Sequence, residues 1–148
     1  MATYREHPYG QFNFLVDLGV GTEGPIAGFQ ECGPFTTSVA VIEYRNGNDK
    51  DNSPMKLSGL TRVDDVTLRR GVIGSLDLYE WLDQVRNGDP AAVRNVTIDL
   101  LNEDRTPVMT WKLMGARPVR YSIGPLNAKG SDVAIEELTL AYEQLVLM

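Results

Sequence analysis

The sequence has little of the side-chain chemistry that most enzymes use. Its 148 residues include one cysteine, Cys32, and one histidine, His7. A single cysteine excludes an internal disulfide, and a thiol nucleophile would need a neighbouring base or a depressed pKa. We interpret Cys32 as a small, partly buried residue. His7 lies in a terminal segment that we expect to be mobile. We therefore predict a protein with no catalytic residues that is not an enzyme.

Long apolar runs and basic clusters are also missing. No run approaches the roughly 20 residues that span a bilayer, and the N-terminus, MATYREHPYGQ, lacks the layout of a signal peptide. We therefore expect synthesis in the cytoplasm and no membrane anchor. The net charge is −6, and the best basic pair, Arg69-Arg70, would point to opposite faces of a strand. Basic partners therefore fit this chain better than nucleic-acid phosphates do.

Two short patterns resemble ligand sites but lack their context. Residues 19–24 match GxGxxG, yet residues 25–29 read as a second strand rather than the helix that a dinucleotide site requires. We interpret the pattern as a glycine-rich turn. Residues 48–53 offer oxygen ligands, but a calcium loop counted from Asp49 would have proline and leucine where it needs glycine and glutamate. We therefore predict no cofactor and no metal.

Strand patterns dominate the chain. Alternating or β-branched stretches predict strands at residues 12–18, 35–44, 65–73, 94–101, 107–114, 117–123 and 132–147. The fourth and fifth of these flank a turn at residues 102–106, which predicts a hairpin. In the last segment the apolar parity slips between Ile135 and Leu138, which predicts a β-bulge.

One segment has helical spacing instead. Its apolar residues are Leu78, Trp81, Leu82 and Val85. We predict a helix at residues 75–87 that is capped by Ser75 and followed by a left-handed Gly88. The chain as a whole, residues 1–148, is predicted to be a single antiparallel β domain, either a barrel or a sandwich, with one helix.

The stretch from Glu43 to Leu60, EYRNGNDKDNSPMKLSGL, is longer and more polar than a tight hairpin turn requires. Long loops of this kind are usually functional or disordered. Loop statistics alone favour a solvated surface loop.

Several segments, taken in order, resemble one family. They are EYRNGND at 43–49, KLSGLTRVDDVTLRRGV at 56–72, the helix around Trp81, and WKLMGARPVRYSIGPLNAKGSDVAIEELTLAYEQL at 111–145. The series resembles the tail tube proteins of contractile phages and of phage-tail-like contractile injection systems. FNFLVDLG and GFQECG also fit that family's opening hairpin. The Gly33-Pro34-Phe35 sequence departs from the small apolar pattern usual there.

The resemblance implies a fold and a structural role. The fold is mainly β, with two packed antiparallel β-sheets in a barrel-like sandwich and one flanking α-helix, and the type VI secretion ring protein shares it. Hexameric rings would join their inner sheets around a lumen and stack into a hollow tube, which a contracting sheath drives through the target envelope. The implied partners are further copies of the chain, the sheath protein, baseplate or spike-hub proteins and tube-terminating proteins, with protein or DNA as candidate cargo.

Two alternatives stay open within this resemblance. One is a paralogue that initiates the tube near the baseplate. The other is a secreted hexameric ring protein of the type VI kind that carries cargo. In every case the resemblance implies a component of a phage tail or of a contractile injection particle.

Three sets of residues are candidates for contacts. An arm at residues 43–60 would reach the neighbouring subunit and the next ring through Tyr44, Arg45, Asn46, Asn48, Asp49, Lys50, Asp51, Asn52, Met55, Leu57 and Leu60. The outer face of the helix, where the resemblance places the sheath, carries Asp77, Glu80 and Asp83, although a plain solvated face explains it equally well. Candidates for the lumen wall are Thr67, Arg69, Asn95, Thr97 and Asp99.

Overall fold

A computed structural model describes residues 2–19 and 28–148. Residues 20–24 of the GxGxxG pattern and residues 25–27 of the strand predicted at residues 25–29 lie outside these residues. The elements that the described residues form are β1 (Phe14–Asp17), β2 (Glu31–Gly33), β3 (Thr37–Tyr44), β4 (Met55–Val63), β5 (Val66–Gly71), α1 (Asp77–Arg86), a short 3-10 helix (Pro90–Ala92), β6 (Arg94–Leu101), β7 (Pro107–Ile123), β8 (Ile135–Ala141) and β9 (Gln144–Leu147).

The long strand β7 organises the main sheet. Seven strands pair antiparallel in the order β1-β6-β7-β8-β5-β2, with β9 also on β7. The first part of β7 pairs with β6 and β9, and its last part pairs with β8. The two halves therefore form two facing antiparallel sheets that share one strand, as predicted. The separate strands predicted at residues 107–114 and 117–123 are the two ends of this one 17-residue strand.

One hydrophobic core lies between the two halves. Its buried members include Val66, Leu68, Leu78, Trp81, Val96, Ile98, Leu113, Leu138 and Leu140. They alternate along β5 and β6 as the sequence predicted, and each large aliphatic side chain stabilises the fold by about 1.5–3 kcal/mol when fully buried. The indole of Trp81 donates to the carbonyl of Ala92 at 2.6 Å, so its polar atom is satisfied inside the core.

The helix is confirmed, but its start differs from the prediction. It begins at Asp77, and Leu76 rather than Ser75 occupies the N-cap. The Asp77 carboxylate itself accepts from the amide of Leu78 at 2.9 Å, while the Ser75 hydroxyl lies 3.4 Å from the amide of Asp77. At the other end Gly88 has the predicted positive φ, +75°.

The bulge predicted between Ile135 and Leu138 is wrong. The pairing of β8 with β5 runs without interruption through these residues. The core-facing residues of β8 alternate regularly, and the first of them is the charged Glu136. The apolar parity slips in the sequence because a carboxylate occupies a core position. The register shift in this region lies instead on β7, between Pro118 and Arg120.

The last predicted strand, residues 132–147, is two strands with different partners. Strand β8 pairs with β5 and with the last part of β7, whereas β9 pairs with the first part of β7. Tyr142 and Glu143 separate them. The chain changes sheet at this point, which alternation alone does not reveal.

Candidate assembly surfaces

Strands β3 and β4 form a hairpin that stands apart from the seven-stranded sheet. They pair only with each other within the described chain, as a two-stranded sheet. At the base the amide of Asp64 donates to the carbonyl of Thr36 at 3.2 Å. Every residue of β3 is exposed. The arm predicted at residues 43–60 is therefore the outer part of a longer hairpin.

The outer part of this hairpin has one apolar face. Tyr44 lies opposite Met55, and Ile42 lies opposite Leu57, so all four side chains share a side. We call these four residues the hairpin face. Each of them is about half exposed, although an apolar strand face normally packs on a core.

A β-bulge shapes the hairpin below this face. Between the Val41–Ser58 and Val39–Thr61 pairs, β4 has two residues, Gly59 and Leu60, where β3 has one. A Cβ atom on Gly59 would lie only 3.2 Å from Cγ1 of Ile42. Glycine therefore allows Ile42 to lie over the backbone of β4. Leu60, predicted to dock the arm, is 86% exposed.

The polar tip of the hairpin is held together by Arg45. Its guanidinium donates to the carbonyls of Asp51 and Asp49, both at 3.0 Å, and its third contact is the side-chain oxygen of Asn52. The Asp49 carboxylate accepts from the amide of Asn46 at 3.0 Å. Much of the predicted contact set thus builds the tip itself, while the neighbouring Asn48 and Lys50 are exposed.

The acidic residues of the helix do not share one environment. Glu80 is exposed, as predicted. The carboxylate of Asp83 accepts from the guanidinium of Arg86 at 2.8 Å. Asp77, predicted to face outward, instead pairs with the buried Arg70. Of the three acidic residues predicted to face outward, only Glu80 and Asp83 therefore do so.

Arg70 is the centre of a buried polar network that the sequence analysis missed. Arg70 and Glu136 are each 2% exposed, and Nε of Arg70 lies 2.5 Å from Oε1 of Glu136. The hydroxyl of Tyr121 donates to the other oxygen of Glu136 at 2.5 Å. With Asp77, the network links β5, β7, β8 and α1. The sequence did contain one signal for this network. Because Arg69 and Arg70 are neighbours on a strand, their side chains point to opposite faces, so one of the two arginines had to point inward.

The network sets the protonation of its members. Burial and the hydrogen bond to Glu136 raise the pKa of Tyr121 to about 12. Burial alone would raise the pKa of Asp77, but hydrogen bonds from Arg70 and Ser75 lower it overall. Asp77 is therefore ionised at neutral pH, and the arginine lies between two carboxylates.

The candidate lumen residues lie on two different strands. Thr67 and Arg69 are on the outward face of β5, and Arg69 pairs with Glu137 at 3.1 Å. Asn95, Thr97 and Asp99 are on the outward face of β6. These strands belong to opposite halves of the sandwich, so both groups cannot line the same lumen.

The Asp99 carboxylate accepts from the hydroxyl of Thr110 at 2.6 Å, and Asn95 Oδ1 accepts from the amide of Gly115 at 3.2 Å. Both β6 side chains therefore also stabilise the pairing of β6 with β7.

An apolar cleft of about 640 Å³ lies beside the N-terminal segment. Its lining includes Phe12, Phe14, Cys32, Phe35 and Trp111, and the rings of Phe35 and Trp111 stack with centroids 5.2 Å apart. Cys32 is half-buried, as predicted, and burial raises the pKa of its thiol to about 12. The thiol is therefore protonated at neutral pH and is a poor nucleophile.

In residues 2–19 and 28–148, no group of three or more histidine, cysteine, aspartate or glutamate side chains is placed to hold a metal ion. No helix in the same residues is both long and apolar enough to cross a membrane.

The sequence matches a known protein family over most of its length. The family described as T4-like virus tail tube protein gp19 matches residues 10–146. The chain belongs to this tail tube family. Among curated proteins, none matches the sequence of this tail tube protein.

Solved structures agree with the family. A chain from the anti-feeding prophage baseplate is 29% identical, with 97% of both chains covered and a TM-score of 0.81. A chain from the sheath–tube complex of the extracellular contractile injection system PVC is 27% identical, with 97% of this chain and 93% of that one covered and a TM-score of 0.83. Hcp1 from Flavobacterium johnsoniae is 12% identical at a TM-score of 0.53, with 90% and 93% covered, and shares the fold alone.

The resemblance that the sequence segments indicated is thus confirmed. The tail tube protein has the mainly β fold of its family, with two antiparallel sheets and one helix in its described part. It is a component of a phage tail or of a contractile injection particle. Its family is one of tail tube proteins, and the PVC relative comes from a sheath–tube complex.

Proposed function

We propose that this tail tube protein is the inner tube subunit of a contractile tail or injection system and has no catalytic activity. It forms hexameric rings that stack into a hollow tube. The observation that carries the proposal is the hairpin face, which is apolar and uncovered in a chain of the tail tube family. The relative in the baseplate structure, which is described as 6-fold symmetrised, supports the hexamer.

The hairpin is the contact between subunits in this proposal. Contiguous apolar side chains on a soluble chain usually mark an interaction site. The hairpin face supplies the apolar contact, and the exposed Asn48 and Lys50 at the tip supply polar contacts that fix the register. Because Arg45 already holds the tip in shape, less conformational entropy is lost on binding.

The remaining partners follow from the relatives. One relative belongs to a sheath–tube complex, another to a baseplate and a third to a sheath/tube terminator structure, so we assign the sheath, the baseplate and a tube terminator as partners of this chain. Glu80 and Asp83 on α1 face the sheath, and one of the two outward strand groups faces the lumen, where protein or DNA cargo would pass. In this proposal, synthesis of the chain takes place in the cytoplasm.

The assembly role is tested by negative-stain electron microscopy of the purified protein over a range of concentrations. Hollow tubes are expected from the unaltered chain, and folded subunits that do not stack from a variant lacking residues 48–53. The substitution Tyr4→Ser, which removes an exposed aromatic far from the hairpin in sequence, is the control and should leave tubes intact. Tubes that survive the deletion would show that the tip is not a stacking contact. Subunits that stay monomeric even with an added baseplate fraction would refute the tube role.

The sheath contact has its own test. The variant Glu80→Lys/Asp83→Lys should form normal tubes but bind sheath protein more weakly, as measured by co-sedimentation. Asp77 is left unchanged because its reversal would disrupt the buried network around Arg70. Unchanged sheath binding would leave a plain solvated helix face.

A tube-initiating role is the second candidate. It is favoured by the relative from the baseplate, whose 29% identity is as high as that of the relative from the sheath–tube complex. An initiator would form isolated rings that nucleate tubes of another subunit. Long tubes made from this chain alone would exclude it.

A further inference from the structure

The N-terminal segment forms one wall of the apolar cleft. Residues 9–12 line the cleft together with side chains from β1, β2, β6 and β7. We propose that residues 2–12, which we call the strap, are a lid on this cleft, and that Arg5 locks the lid in its closed position. The inference concerns the single subunit and does not depend on the proposed assembly function.

Arg5 both folds the strap and fastens it. Its guanidinium donates to the carbonyls of His7 at 2.7 Å and Pro8 at 2.8 Å, and its Cζ lies 4.0 Å from the centroid of the Tyr9 ring. It also donates to both carboxylate oxygens of Glu103 in the β6–β7 turn, at 2.9 and 3.0 Å. A bidentate arginine–carboxylate contact fixes orientation as well as distance. The position of residues 7–9 against the turn therefore depends on this one side chain.

Few other bonds hold the strap. Within the part of the chain that the structure describes, its one other hydrogen bond to the rest of the molecule runs from the amide of Thr3 to the carbonyl of Val108, at 2.8 Å. The Tyr9 hydroxyl donates to the carbonyl of Thr3 at 2.7 Å, which is a bond within the strap. Just beyond the strap, the carbonyl of Asn13 accepts from the amide of Leu101 at 2.9 Å. The strap can therefore open about Asn13 while the strand pairing of β1 stays intact.

The cleft beside the strap is rich in aromatic side chains. The two end strands of the seven-stranded sheet, β1 and β2, both contribute to its lining, through Phe14 and Cys32. The stacked rings of Phe35 and Trp111 form another part of it. Closing the strap removes apolar surface from water, which favours the closed state, yet Phe12 is still 72% exposed. Because the strap has few buried contacts, its opening is a local event of low free energy that controls access to these rings.

Thiol labelling tests the lid, since Cys32 is the only cysteine of the chain and lines the cleft. The rate at which dithionitrobenzoate labels the native protein should follow the fraction of molecules with an open strap. In Arg5→Gln this rate should rise about two- to fivefold, the factor expected for losing an exposed ion pair. Glu103→Gln should also raise the rate. The double variant should label no faster than Arg5→Gln alone, because the two side chains act through one contact.

The matched control for labelling is Arg105→Gln. It removes an exposed guanidinium from the same turn and leaves the contact between Arg5 and Glu103 in place, so its labelling rate should equal that of the unaltered chain. Thermal melts followed by circular dichroism establish that each variant is folded at the labelling temperature. An unchanged rate in Arg5→Gln, or an equal rise in Arg105→Gln, overturns the inference. A thiol that reacts as fast in the unaltered native chain as in urea also overturns it.

Amide hydrogen exchange followed by NMR locates the opening. In Arg5→Gln the amide of Thr3 should exchange faster by about the same factor as Cys32 is labelled, because both rates report the open strap. The amide of Leu101, which is bonded to Asn13 beyond the strap, should keep its protection. Faster exchange at Leu101 would mean that β1 itself leaves the sheet, and unchanged exchange at Thr3 would mean that the strap stays closed. Either result overturns the inference.

Discussion

At Arg70 one buried guanidinium serves two carboxylates from different elements. Glu136 comes from β8 and Asp77 from the first turn of α1. A buried ion pair is not in itself strong evidence for stability, because desolvation offsets much of the attraction. Removing either Arg70 or Glu136 would nevertheless leave the other charge buried without its partner. The network therefore fixes where the helix starts on the sheet.

Arg70→Met should be strongly destabilising for this reason. We expect the free energy of unfolding to fall by about 3–5 kcal/mol, because Glu136 remains buried without its partner. Urea denaturation followed by circular dichroism measures the loss. Arg69→Met, one residue away on the exposed face, is the matched control and should change stability by less than about 1 kcal/mol. The double variant Arg70→Met/Glu136→Leu should recover part of the loss, and no recovery would mean that packing rather than charge dominates.

The N-terminal segment has an exposed ion pair with a measurable pKa. Arg5 holds Glu103 in the β6–β7 turn at 2.9 Å, and this hydrogen bond is the main cause that lowers the Glu103 pKa from 4.5 to about 2. Because the pKa of Glu103 is lower in the folded chain than in the unfolded chain, the ion pair stabilises the fold above pH 4.5. This stabilisation is lost as the pH falls from 4.5 through about 2.

A carboxyl carbon NMR titration should therefore place the Glu103 midpoint near 2 in the unaltered chain, in agreement with its lowered pKa. In the Arg5→Gln variant the midpoint should return toward the ordinary glutamate value. An unchanged midpoint in the variant would show that Arg5 does not cause the shift.

At the scale of elements, the sequence was informative where one face of a strand is purely apolar. Strands β5 and β6 and the β6–β7 hairpin follow from alternation because every core position in them but one is apolar. Strand β8 was misread because Glu136 takes a core position. The helix start was misplaced because Asp77 forms a tertiary ion pair. Tertiary contacts overrode local patterns at both places.

Gly115 marks the point where β7 passes from one half of the sheet to the other. Its φ is +67°, and a Cβ atom there would lie 3.0 Å from Cδ of Glu143. Gly115→Ala should therefore lower the free energy of unfolding by about 1–2 kcal/mol through backbone strain. Gly124→Ala, where the nearest atom would be 3.5 Å away, is the control. Urea denaturation compares them, and equal stabilities would show that β7 adjusts at this point without cost.

At the scale of the molecule, the assembly surfaces were less predictable than the fold. The unusual length of residues 43–60 pointed to the hairpin, but its apolar face depends on the register that pairs Tyr44 with Met55. The exposed apolar residues beyond the end of β5, Val72, Ile73, Leu126 and Val133, could not be grouped from the sequence, because folding alone brings these distant segments to one end of the sheet. Surfaces built from distant segments leave no periodic signal.

A change that abolishes assembly should therefore be able to leave the stability of the fold unchanged. Thr37 and Val63 are a cross-strand pair at the base of the hairpin, so their Cα atoms are close enough for a two-residue Asn-Gly turn to replace residues 38–62. Because the hairpin packs mainly on itself, the shortened chain should keep its stability within about 0.5 kcal/mol, as exposed changes usually do. Differential scanning calorimetry should then show a melting temperature within about 2 °C of the unaltered chain, while ultracentrifugation shows monomers only. A large drop in melting temperature would mean that the hairpin supports the core, and tubes formed without it would mean that stacking uses another surface.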